Sequence, residues 1–345
     1  MQAYMIVFIL LGQASFGSVV GHAQNANSGG CGKRHTPGYY GADDGNHQIQ
    51  SSGETRKYGM FVPNGMSLTK RGLKLRSKSQ SRPCTTLTVL GYDPQELYSL
   101  ILDFHGKGGT PQGQYDNSQY YKYPQASGYL VAYPLGDKAN DGSGDNAWQS
   151  APYASYGVND IQFTSDLVDH INDNYCVDTT RIYASGKSNG GGFVDLLACS
   201  STGDRFAAFA MAAPALYTDN PGAACVSKLR KIIHTHGLQD HTAEYYGGSS
   251  HDQPLPNISD WLNRWQQRDG CSAPQYTTDT GNTLITYSSC SGGITNAIKS
   301  YRMPNEGHCW PDDRSDNTDG AKAECKDQSL DFTSKVLDFF AARHL

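Results

Sequence analysis

A serine flanked by glycines, Gly186-Lys187-Ser188-Asn189-Gly190, matches the G-x-S-x-G pattern of a serine nucleophile. The motif alone is weak, and its context gives it weight. Arg181-Ile182-Tyr183-Ala184-Ser185 predicts a strand before it, and Gly191 to Ala198 predicts the start of a helix after it. A serine on a strand-to-helix turn is a nucleophile elbow, with glycines where side chains would clash. The helix N-terminus offers backbone N–H groups to a developing oxyanion. The chemistry this predicts is acyl transfer through a serine ester; a Gly-rich structural turn or phosphate loop is the alternative.

A serine hydroxyl is a poor nucleophile near neutral pH. It needs a base, and a group to orient that base. On a strand–elbow–helix scaffold the expected chain order is Ser, acid, His. His234-Thr235-His236-Gly237-Leu238-Gln239-Asp240 carries an acid, Asp240, just beyond a predicted strand at 231–235. Gly307-His308-Cys309-Trp310-Pro311 follows a short predicted strand at 299–303 and can bring His308 over Ser188. His234, His236, His241 and His251 compete for the role of base, and Glu244 competes with Asp240. His236 lies so close in sequence to Asp240 that it is read as ordering the acid loop.

The second oxyanion donor should come from a loop after an early strand. Leu102-Asp103-Phe104-His105-Gly106-Lys107-Gly108-Gly109 has that form. The expected donors are the Asn189 N–H and the Lys107 N–H or a neighbour in the same loop; loss of one such donor costs about 3–4 kcal/mol in the transition state. His105 is read as a support for this loop. Trp148 is expected to line an aromatic acyl pocket, with a core tryptophan as the alternative reading.

The elements that must position these residues are legible as short apolar runs. Residues 59–62, 98–104, 129–133, 181–184, 206–211 and 231–235 predict buried parallel strands. Phe163, Leu167 and Ile171 repeat at helical spacing, as do Ile258, Leu262 and Trp265, and a last helix is predicted near 330–342. Strands alternating with helices predict an α/β fold: one domain, a mostly parallel sheet and helices on both faces.

The chain of 345 residues carries a net charge of −5, which argues against general nucleic-acid binding. Nine cysteines without C-x-x-C pairs fit an oxidising compartment better than a zinc site. Cys199–Cys225 and Cys271–Cys290 are the local pairing choices. The apolar run from Ile6 to Leu11, followed by Gly21-His22-Ala23, predicts a signal peptide over 1–23 and a mature chain of 24–345. No later segment is apolar enough to span a bilayer. Asn257-Ile258-Ser259 is a glycosylation sequon. The expected location is extracellular and the expected state a monomer.

One segment stands apart. Residues 65–91 contain six basic residues and no acid, whereas the remainder carries 22 basic and 33 acidic residues, a net of −11. Gly65-Met66-Ser67 can be encoded with a GTATGT donor site, Leu87-Thr88 with a CTAAC branch point, and Leu90-Gly91 with a TAG acceptor. A retained intron is therefore the preferred reading, ahead of an inserted loop or a basic binding arm. Its excision would also remove Cys84 and leave eight cysteines.

The sequence resembles the secreted fungal feruloyl (cinnamoyl) esterases, related to the polyhydroxybutyrate depolymerase and acetylxylan esterase group. The resemblance runs through Gly30-Cys31-Gly32-Lys33, Arg56 to Pro63, Asp103-Phe104-His105-Gly106, Tyr175-Cys176-Val177-Asp178, Arg181 to Gly192 and Gly307 to Pro311. It is interrupted at 65–91. It implies a single α/β-hydrolase domain, a triad of Ser188, Asp240 and His308, and no metal or organic cofactor. The implied reaction is release of ferulic and related hydroxycinnamic acids from plant cell-wall polysaccharides such as arabinoxylan or pectin. Some relatives have a cysteine before the nucleophile that pairs with one after the catalytic histidine. Lys187 excludes that bridge here, so Cys309 must pair elsewhere. An acetylxylan esterase, a polyhydroxybutyrate depolymerase, a serine peptidase of the same fold and a non-catalytic carbohydrate-binding protein are the alternatives.

Overall fold

The computed structural model describes residues 27–64, 66–69, 86–89, 91–219, 224–226 and 228–345. The predicted signal peptide, Cys84 and most of the basic segment lie outside these residues.

The strands of the main sheet are β1 (Gly38–Tyr40), β2 (Gln48–Ser51), β3 (Glu54–Val62), β4 (Tyr98–Phe104), β5 (Tyr129–Pro134), β6 (Val177–Lys187), β7 (Ala208–Ala212), β8 (Ile232–Gly237), β9 (Gln275–Asp279), β10 (Asn282–Tyr287) and β11 (Ile298–Met303). Their spatial order is β1-β3-β5-β4-β6-β7-β8-β11-β10-β9, with β2 paired to β3. The six strands from β5 to β11 in this order are mutually parallel. Antiparallel strands flank them on both sides.

The central strands are apolar on both faces because both are covered. Every residue of β4 and β5 is buried, as expected of parallel strands between two helical layers. Leu100, Leu102 and Phe104 of β4 face a cluster containing α2 (Asp160–Asn174), α3 (Asn189–Cys199) and α4 (Ile258–Arg268). Ile101 faces the opposite cluster, which contains Phe332, Val336, Leu337 and Phe340 of α5 (Phe332–Ala341). In α4 an apolar stripe of Ile258, Trp261, Leu262 and Trp265 turns inward. The indole N–H groups of Trp261 and Trp265 both donate to Asp195 of α3 at 2.9 Å, docking the two helices together. Asn257 of the sequon caps α4 by accepting from the Ser259 N–H.

One sequence expectation changes. Residues 59–62 belong to β3, which runs antiparallel to β5, because that strand enters as part of an N-terminal meander rather than through a helical crossover. The sixth parallel strand is β11 instead. Met66–Thr69 and Thr86–Val89, from the segment that breaks the charge pattern, pair with each other as a separate two-stranded sheet.

Disulfides join Cys31–Cys176, Cys199–Cys225, Cys271–Cys290 and Cys309–Cys325. Both local pairings expected from sequence are among them, and Cys309 pairs away from Lys187.

Candidate active site

Ser188 sits between β6 and α3 with φ 56° and ψ −122°. Left-handed backbone at a non-glycine residue costs about 1–3 kcal/mol, so its surroundings must hold it. They do so through three backbone bonds: the Ser188 N–H donates to Ala212 O at 3.0 Å, and Ser188 O accepts from Gly192 and Ala215, each at 2.9 Å. The flanking glycines make the turn possible. A Cβ on Gly190 would lie 2.2 Å from Phe104 O, and one on Gly186 2.7 Å from Gly190 C.

Strands β8 and β11 are parallel neighbours, so the loops after them leave the same edge of the sheet. The first carries Asp240 and the second His308. The two loops lie against each other because residue 237 has no side chain: a Cβ there would lie 1.9 Å from Glu306 O. The Gln239 N–H donates to Glu306 O at 2.9 Å across this contact.

The result is a continuous chain of hydrogen bonds. His308 Nε2 is 2.8 Å from Ser188 Oγ, and His308 Nδ1 is 2.8 Å from Asp240 Oδ2. The other carboxylate oxygen of Asp240 accepts from the Thr242 and Ala243 N–H groups at 2.9 and 2.8 Å. Burial disfavours the Asp240 carboxylate, but hydrogen bonds from His236 and His308 outweigh it and hold the carboxyl well below its usual range. Burial lowers the pKa of His308, with Asp240 opposing and Lys187 assisting, which favours the neutral imidazole near neutral pH.

The competing residues have other partners. His236 Nε2 lies 2.5 Å from Ala243 O and 3.4 Å from Asp240 Oδ2. A carbonyl only accepts, so that nitrogen carries the proton and ties the acid loop together. His234 is buried on Ser300 at 2.8 Å. His241 and Glu244 are exposed. His105 donates from Nδ1 to Gly106 O at 2.7 Å and accepts the Gly136 N–H on Nε2 at 3.0 Å. Burial pushes its pKa down to about 4, so it stays neutral as a brace for the 105–109 loop. That loop abuts Ser188: a Cβ on Gly106 would touch Ser188 Cβ at 3.2 Å. Asn189 occupies the first position of α3, where a helix makes no use of the N–H. Its buried side chain accepts the Trp148 N–H at 2.8 Å and donates to Ser150 Oγ at 3.1 Å.

Trp148 is not part of the lining of the cleft at Ser188. It is fully buried beneath the loop, packed on Phe104 and Phe193, with its indole N–H donating to His105 O at 2.8 Å. Its large apolar ring fills core space, and its one polar atom is spent on the loop backbone.

The cleft above Ser188 has a volume of about 220 Å³. Its aromatic lining is Tyr153, Tyr217 and His251, which the sequence did not single out for this role. The His251 ring rests on Tyr153 at 4.6 Å, and Nδ1 is 3.2 Å from the Tyr217 hydroxyl. Lys187 lies in a buried ion pair with Asp319, 2.8 Å away. Glu306, Cys309 and Cys325 cluster closely, but both sulfurs belong to one disulfide and are not free thiolate ligands.

Residues 115–262 match the prolyl oligopeptidase family. The chain is 29% identical over 209 residues to a bifunctional acetylxylan esterase/xylanase of Neocallimastix patriciarum, covering 61% of this chain and 28% of that protein. It is 28% identical over 211 residues to feruloyl esterase B of Piromyces equi, covering 59% of this chain and 38% of that protein. The chain thus spans about a third of the length of the curated relatives it matches. An acetyl xylan esterase structure from Aspergillus awamori superposes with a TM-score of 0.50 over 76% of this chain and 93% of that one, at 14% identity. The fold is that of the α/β-hydrolases. Ser188 stands on the turn between β6 and α3, and the loops after β8 and β11 bring Asp240 and His308 to it.

Proposed function

We propose that this chain is a serine carboxylic-ester hydrolase that releases hydroxycinnamic acids from plant cell-wall polysaccharides. The observation that carries the reading is the unbroken Ser188–His308–Asp240 hydrogen-bond chain at a nucleophile elbow. Similarity to feruloyl esterase B supports the substrate class.

Ser188 Oγ attacks the ester carbonyl and His308 Nε2 takes its proton. Asp240 holds the ring through Nδ1 and stabilises the imidazolium. The Asn189 and Lys107 N–H groups receive the negative charge on the carbonyl oxygen. His308 returns the proton to the departing alcohol, leaving the acyl group on Ser188. Water, deprotonated by His308, then releases the acid. Tyr153 and Tyr217 offer the acyl ring an aromatic surface with hydroxyl groups. The reading includes an extracellular location for the mature chain 24–345, supported by four disulfides.

A second reading, deacetylation of xylan, is favoured by the similarity to the bifunctional acetylxylan esterase/xylanase. Ferulate release from methyl ferulate and acetate release from acetylated xylan separate the two, with Ser188→Ala as the blank. Ferulate release that vanishes in a folded Ser188→Ala protein supports the first reading. Acetate release alone moves the substrate to acetyl esters. Turnover that persists in Ser188→Ala removes the mechanism.

A further inference from the structure

The cleft beside Ser188 carries a charge, on Lys322, to which the proposed ester hydrolysis gives no role. Lys187 Nζ lies 2.9 Å from Asp319 Oδ1 and 2.8 Å from Oδ2. Lys322 Nζ lies 2.8 Å from Oδ1 of the same carboxylate. Oδ2 also accepts from the Asn117 amide at 3.0 Å and from the Trp310 N–H at 2.8 Å. The acceptor capacity of Asp319 is therefore filled. Among the described residues, no other carboxylate comes within ion-pair distance of either ammonium; Glu324 acts on Lys322 only from further away.

One lysine would neutralise Asp319. The second leaves the cluster with a net positive charge in the cleft wall. Lys322 is the open member: its side chain keeps 46% of its exposure against 8% for Lys187. Both lysines line the cleft that contains Ser188 and His308. Lys107, also in the lining, is different. Asp141 at 2.6 Å and Asp145 at 3.7 Å outnumber it, and it lies over the Tyr153 ring at 4.6 Å. The cleft is thus positive beside Lys322 and negative beside Lys107.

We propose that Lys322, seated on the Lys187–Asp319 pair, binds a carboxylate carried by the substrate close to the ester being cleaved. This rests on the esterase reading above and names a charged class within it. A uronic acid in the alcohol part of a plant polysaccharide ester supplies such a carboxylate. A dicarboxylic acyl group would supply the same chemistry from the other side of the bond.

The test is kcat/KM of the full chain on two matched pairs: the feruloyl ester of galacturonic acid against that of galactose, and 4-nitrophenyl hemisuccinate against 4-nitrophenyl butyrate. The expected result is a preference on the order of five-fold for the charged member of the first pair. It shrinks as salt is raised, falls to about one in Lys322→Gln and persists in Lys322→Arg. A preference confined to the second pair assigns the carboxylate to the acyl side. A ratio of one or less in both pairs, or a preference that Lys322→Gln leaves intact, overturns the proposal while cleavage of the neutral esters keeps the esterase reading. Failure to cleave any of the four esters, by protein with native circular dichroism, overturns both.

Discussion

Replacing Asp240 by asparagine tests the mechanism at its most constrained point. The substitution keeps volume and shape, and an amide could in principle present its oxygen to His308. The backbone prevents this. The Thr242 and Ala243 N–H groups both donate to Oδ1, at 2.9 and 2.8 Å, and only the amide oxygen can accept them. The amide NH₂ must then occupy the Oδ2 position, 2.8 Å from His308 Nδ1, and donate to it. His308 is forced into the tautomer with its proton on Nε2, facing Ser188 Oγ at 2.8 Å. A nitrogen that already carries a proton cannot take the one on the serine. Loss of the correct tautomer, together with loss of the charge that stabilises imidazolium, costs about 10⁴ in kcat, or about 5.5 kcal/mol at 1.36 kcal/mol per decade. The assay is kcat on methyl ferulate at neutral pH, with thermal unfolding as the control for integrity. Because both Oδ1 contacts survive, the melting temperature should stay within a few degrees. Activity of Asp240→Asn within tenfold of the native chain, in folded protein, would refute the reasoning.

The lowered pKa of His308, set mainly by burial, predicts that kcat/KM rises with pH to a plateau as the imidazole loses its proton, with a midpoint below the ordinary histidine value of about 6.5; a midpoint above 7 on methyl ferulate would contradict it. Burial, reinforced by Asp327, raises the Glu306 pKa to about 8, whereas the unfolded carboxyl titrates near about 4.3. Its stabilising contribution is therefore present in full below about pH 4 and lost as pH rises towards 8. Glu306→Gln copies the protonated form and should flatten that decline, so identical pH slopes of urea midpoints in both proteins would count against it. Met66 pairs with Val89, which holds the two ends of the basic segment about one strand spacing apart. Deleting 65–90 and joining Asn64 to Gly91 should therefore need little rearrangement and raise secreted yield; unchanged yield and activity would show that the segment is no burden, and a gene lacking GT and AG at its ends would rule out a retained intron.

The convergence of the three candidate residues was legible in the sequence, because each follows its own strand. Ser188, Asp240 and His308 lie within a few residues of the ends of β6, β8 and β11, and parallel pairing delivers those ends to one edge of the sheet. Short apolar runs, glycine punctuation and chain order carry that information without knowledge of distant contacts. The Cys199–Cys225 and Cys271–Cys290 pairs were legible as local choices, whereas Cys309–Cys325, which closes a shorter segment still, was not singled out.

What depends on distant neighbours was not. Whether Trp148 faces a substrate or a core is decided by Phe104 and Phe193, which come from other elements. The direction of β3 depends on how the N-terminal meander joins the sheet, not on its own apolar run. Cys31 finds Cys176 across 145 residues. Lys187 looked like a break in a disulfide pattern. Only the tertiary structure brings Asp319 and Lys322 to it, placing two ammonium groups on one carboxylate in the cleft wall. Short-range pattern determines which residues can react, and the long-range packing of chain segments decides what surrounds them, because burial and charge balance are sums over neighbours in space rather than in sequence.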